Sequence, residues 1–219
     1  MTRIITKQGS LSSPALYWSL TKEDTEIVKR QMVHRKFKND IVAGVTYYCQ
    51  WGAPQVLLCR PMVKKRPFPT SFWLTCPYLI QKCGELESQQ GVKALEEYLQ
   101  KRVSLHDWVL YHMLHMNIRM SLFPPAQRMY LQKRRPSLWK ALRRGGVGGI
   151  QDKNSFKVKC LHLHVASWLA LRTHPAGEWL HQNLQQVSCP VPESYPCFYK
   201  RRGKECGKGA LVKKQQKSF

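Results

Sequence analysis

Cys160-Leu161-His162-Leu163-His164 puts a thiol and two imidazoles into five consecutive residues. In a strand, alternation sets all three on one face. In a helix, Cys160 and His164 lie one turn apart and His162 points elsewhere. Either geometry brings a thiol and at least one imidazole to a shared point. That pairing suits a zinc or iron centre, and it equally suits a cysteine nucleophile activated by histidine. The competing account is a helix start with two incidental histidines, but buried imidazoles in so apolar a run would need partners.

Cys76 is the other thiol with a chemical setting. Thr75-Cys76-Pro77 reads as a helix start, with Thr75 as the cap and Pro77 in the first turn. Unpaired amides at a helix N-terminus stabilise a thiolate, so Cys76 is a candidate nucleophile or metal ligand. The alternative is a small buried residue in a capped turn. The eight cysteines include no C-x-x-C pair, so neither a zinc ribbon nor a thioredoxin motif is present. Cys59 and Cys83 read as small core residues. His106, His112 and His115 sit in no motif and are assigned structural or surface roles. Gly145-Gly146-Val147-Gly148-Gly149-Ile150 lacks the Gly-Lys-Ser/Thr ending of a phosphate loop and reads as a hinge or a close backbone approach.

The elements that must carry these residues can be placed by pattern. Residues 1–20 read as an irregular leader. Thr21 caps a helix to about Val33, with Glu23 and Asp24 in its first turn. Residues 41–48 and 55–60 form a candidate hairpin around Gly52 and Pro54. Residues 71–75 look extended. Helices then follow from Cys76 to the break at Gly91, over 92–102, and over 104–122, where Trp108, Met113 and Leu114 are expected in the core. Pro124, Pro125 and Pro136 segment a basic region. Residues 158–171 are strongly apolar, and Pro175 opens a helix to about Leu184. The expected fold class is α+β: a small sheet or hairpin packed on several helices, a mostly helical C-terminal half and a disordered basic tail. One domain is expected over 21–187, followed by a Pro- and Cys-containing basic tail over 188–219.

Hydrophobic content of 43% supports a packed fold. No run reaches the length of a membrane helix, and the first residues lack the apolar segment of a secretory signal. The expected compartment is the cytoplasm, where thiols stay reduced and no structural disulfide is expected. The formal net charge is +23. Residues 121–160 hold ten Lys/Arg against Asp152, and residues 198–219 hold eight against Glu205. Lys133, Arg134, Arg135, Arg143, Arg144, Lys200, Arg201 and Arg202 are therefore the candidate polyanion-binding residues, with RNA as the favoured ligand.

The ordered blocks Cys49-x-x-Gly52-x-Pro54, Pro67-Phe68-Pro69-Thr70-x-x-x-Leu74-Thr75-Cys76-Pro77 and Leu86-Glu87 resemble a bacterial family catalogued as domain of unknown function 501. So do Gly148-Gly149-Ile150, Val158-Lys159-Cys160-Leu161-His162 and Pro175-x-Gly177-Glu178. The resemblance spans about residues 20–187. It implies no reaction, but it implies a shared site, because Cys49, Cys76, Cys160 and His162 match recurring positions of the family. His164 is a further possible ligand outside that pattern. Members often carry His where this chain has Ser167, and Asn where it has His174. The basic tail lies outside the resemblance.

The leading expectation is a cytosolic protein with a Cys/His site that binds zinc or an iron–sulfur cluster. The alternatives are a polyanion- or RNA-binding protein and a metal-free Cys/His enzyme.

Overall fold

Val42–Tyr48 (β1) and Pro54–Cys59 (β2) pair antiparallel, and Phe72–Leu74 (β5) adds to the far edge of β2. The sheet order is β1-β2-β5. β2 is buried along its whole length, as a central strand covered on both faces must be. Alternation divides its side chains: Val56 and Leu58 join one core, and Leu57 joins another. The computed structural model describes residues 17–33, 39–64 and 66–198, together with the strand pairs 200–201 and 204–205. A second pair, Met62–Val63 (β3) and Arg66–Pro67 (β4), extends the loop before β5.

Lys22–Gln31 (α1) covers one face of the sheet. Thr21 accepts from the Asp24 amide while the Asp24 carboxylate accepts from the Thr21 amide, a reciprocal cap. Val28 and Met32 then pack on Val45, Tyr48 and Leu57. The expected leader ends inside the fold: Trp18 pairs with Val45, and its carbonyl lies where a Cβ on Gly44 would fall. The rest of the leader, residues 1–16, lies outside the described residues.

The other face carries the main core and most of the helices. These are Pro77–Ser88 (α2), Gly91–Arg102 (α3), Leu105–Ser121 (α4), Pro125–Arg134 (α5), Pro136–Arg144 (α6), Leu161–Leu171 (α7) and Gly177–Leu184 (α8). α7 lies against β5, β1 and β2. The result is the α+β class expected from sequence. No helix among the described residues is long and apolar enough to cross a membrane.

Two local expectations are corrected. Thr75 does not cap α2; its hydroxyl donates to carbonyls of β2, and Cys76 itself takes the cap position. On α4, Met113 and Leu114 are exposed, whereas His112, His115 and Arg119 are buried beside Trp108 and Tyr111. A more polar face of α4 turned inward because it has partners there. Val147 N–H donates to His112 Nδ1, and Arg119 donates to the carbonyls of Pro69, Leu142, Gly145 and Gly146. A Cβ on Gly146 would fall on the His112 ring, so the glycine loop is a close backbone approach.

Candidate metal centre

Cys160 precedes α7 in an extended conformation and makes no capping bond of its own. The cap comes from another helix. Glu87, in the last turn of α2, accepts from the Leu161 amide at 2.6 Å, placing a carboxylate at the N-terminus of α7. The same oxygen lies 3.1 Å from His162 Nδ1. One ligand atom from each of Glu87, Cys160 and His162 lies within 4.8 Å of the other two, and all three residues are half-buried. They offer an oxygen, a sulfur and a nitrogen to one point. Burial raises the Cys160 thiol pKa, and the Leu163 amide lowers it in part.

Cys160 and His162 also wall a cleft of about 390 Å³ with Phe68, Thr70, Phe72, Trp73, Leu74 and Leu163. That volume lies in the range of small-molecule sites. The glycine loop closes on its rim: Lys159 Nζ donates to the Gly148 carbonyl, and a Cβ on Gly149 would meet Pro69. Arg119 binds both sides of this frame, at Pro69 and at the glycine loop.

The four residues expected to share one shell are divided between two places. Cys49 and Cys76 line a different cavity, together with Cys189 and Cys197. The reason is α2. Cys76 stands before its first residue and Glu87 near its last, so eleven helical positions, about 16 Å, separate the two sites. Burial also decides the character of Cys76. Its sulfur accepts from Gln55 Nε2, and the Leu79 amide lowers its pKa, but desolvation outweighs both and the thiol is raised. Cys76 is therefore not the acidic thiol that a helix N-terminus alone would make. The seven described cysteines form no disulfide.

His164 faces the opposite way from His162. It is buried, with Nδ1 2.9 Å from His174 Nε2. His174 Nδ1 accepts from the Ala176 amide, so its proton is on Nε2 and is donated to His164. His112, His115, His164 and His174 thus gather around Trp108 and Tyr111, each held neutral by burial. Ser167 accepts from the Tyr111 hydroxyl in the same cluster.

Sequence reasoning assigned no role to Glu87, although it lies in one of the blocks carrying the resemblance. It also passed over Cys189 and Cys197. Neither had a local signal, because each reaches its site only through tertiary packing.

The fold and site define an α+β protein with a mixed thiol, imidazole and carboxylate site at the mouth of a cleft. A family model described as Protein of unknown function (DUF501) matches residues 45–182, and the chain belongs to that family. No curated protein matches the chain, and no solved structure does.

Proposed function

We propose that this protein binds a divalent ion of the zinc class through Glu87, Cys160 and His162, with an open coordination position facing the cleft. The observation that carries this reading is the convergence of three different donor atoms within 4.8 Å, two of them from residues that line the cleft, Cys160 and His162. A single thiolate with one nitrogen and one oxygen donor suits zinc better than an iron–sulfur cluster, which is held mainly by cysteines. Three protein ligands leave a fourth position for water or substrate, and zinc there supplies Lewis acidity and a water acidified toward neutral pH. Burial raises the Cys160 pKa, which counts against a metal-free thiolate nucleophile, whereas a bound cation itself deprotonates a thiol.

The test is metal stoichiometry on the purified full chain after dialysis against zinc and removal of excess. C160S and H162A should each lose one equivalent relative to wild type, with affinity down at least tenfold. E87Q should lose less than either. Wild-type stoichiometry in both C160S and H162A would end this reading.

A second reading concerns the basic region. Lys133 and Arg134 on α5, Arg143 and Arg144 on α6, and Arg135 between the two helices are all exposed. Arg143 and Arg144 border a cleft of about 610 Å³ that also presents Arg128, Lys140 and the ring of Trp139. Cations beside an aromatic ring suit a single-stranded nucleic acid, which offers phosphates and stackable bases. Lys200 and Arg201 form a strand paired with Lys204 and Glu205, while Arg202 lies outside the described residues. The expected result is RNA binding that weakens steeply with salt, and R143E/R144E should make the log–log salt slope shallower by about two. An unchanged slope would remove this cleft from RNA binding.

A further inference from the structure

We propose that Cys49, Cys76, Cys189 and Cys197 form a second metal site, closed and structural, which takes one thiophilic ion of the zinc class. The four thiols come from separate segments: the end of β1, the cap of α2 and two positions after α8. All four line one cavity of about 20 Å³, room for a single water-sized species. A polynuclear cluster would need more space.

Two features distinguish this cavity from four cysteines buried separately. First, polar groups already serve the sulfurs. The Ala53 amide donates to Cys49 Sγ at 3.3 Å, and Gln55 Nε2 donates to Cys76 Sγ at 3.3 Å. Such outer hydrogen bonds spread the charge of metal-bound thiolates. Second, Gln31 and Gln55 also line the cavity, are 8% and 1% exposed, and leave their side-chain carbonyl oxygens without a hydrogen-bond partner. Buried acceptors without donors are costly, and a cation beside them offsets that cost.

The segment that carries Cys189 is already docked. Gln50 N–H donates to Ser188 Oγ, Trp51 Nε1 donates to the Cys189 carbonyl, and Gln55 Nε2 donates to the Val187 carbonyl. No three of the four sulfurs lie within 4.8 Å of one another. A zinc tetrahedron with bonds near 2.3 Å needs sulfurs roughly 3.8 Å apart. Side-chain rotation around the ion therefore closes the site and clamps residues 188–198 against the domain. The four thiols release their protons as the ion enters, so uptake strengthens with pH.

The test uses the full chain, reduced and stripped by chelator, then titrated with Co²⁺ and back-titrated with Zn²⁺. Wild type should show the intense near-ultraviolet sulfur-to-cobalt charge transfer of several thiolates, displaced by zinc. C197S should lower cobalt affinity at least tenfold and weaken that band. C197H, which restores a ligand at this half-buried position, should recover most of the affinity with a shifted spectrum. A C160S/H162A double variant should keep the band, which separates this site from the one at Glu87. The proposal fails if C189S and C197S leave both band and stoichiometry unchanged. It also fails if wild type takes up only the equivalent that C160S/H162A loses.

Discussion

Between pH 7 and pH 5 the folded state should lose at least about 4 kcal/mol of stability, a large share of the ~5–15 kcal/mol that holds a typical domain together. The cause is the buried histidine cluster. Burial lowers the His112 pKa to about 4 and the His164 pKa to about 3, and sets His115 and His174 well below the ordinary value. In the unfolded chain each returns to about 6.5. Above that value both states are neutral and stability is complete. As pH falls below it, the unfolded chain takes up protons that the folded chain refuses. Each of these four residues then costs about 1.4 kcal/mol per pH unit until its folded pKa is reached. The charged neighbours do not reverse this. Lys153 and Arg119 oppose protonation of His112 and His115 respectively, and Asp152 favours it at His112 only as the smallest contribution. Urea titrations of chelator-treated protein at pH 7, 6 and 5 would measure the effect. H115L should flatten the pH slope by about one proton. A urea midpoint that stays constant down to pH 5 would contradict the buried neutral cluster.

Replacing Arg119 with methionine should destabilise the fold by about 3–5 kcal/mol and lower Tm by roughly 10 °C. Arg119 is 1% exposed, and no carboxylate among the described residues pairs with it. Its guanidinium instead donates to carbonyls of Pro69, Leu142, Gly145 and Gly146. Burial lowers its pKa to about 10, so it stays charged. Methionine fills much of the volume but leaves those carbonyls without donors. R119K keeps the charge yet cannot span the same fork, and it should recover less than half of the loss. Because the same side chain joins Pro69 to the glycine loop around the cleft, R119M should also weaken zinc binding at Glu87, Cys160 and His162. Thermal melts and metal titration of both variants decide this. R119M melting within a few degrees of wild type would show that the glycine loop holds itself.

The local elements were legible because their signals are local. The Thr21 cap, the hairpin over β1 and β2 and the helix after Pro175 each follow from a few adjacent residues, whereas the break expected at Gly91 falls at Gln89 and Gln90, with Gln90 left-handed and Gly91 opening α3. α4 was misread at Met113 and Leu114 for a physical reason. Apolar character predicts burial only when no polar face has better partners, and the partners of His112 and Arg119 arrive from residues 69 and 142–147, far along the chain.

For the site, the chemistry of Cys160 and His162 was visible in five residues, but their partner was not. A carboxylate at Glu87 becomes a cap and a ligand only when the end of α2 meets the start of α7. The same holds for Cys49 and Cys76, whose neighbours in space are Cys189 and Cys197 rather than Cys160. Composition and spacing alone determined the fold class, the basic character and which residue types could do chemistry, since these depend on propensity, pattern and charge. Only the tertiary structure decided which thiols meet, because a rigid helix of twelve residues holds Cys76 and Glu87 at opposite ends, and no pattern along the chain records what packs against either end.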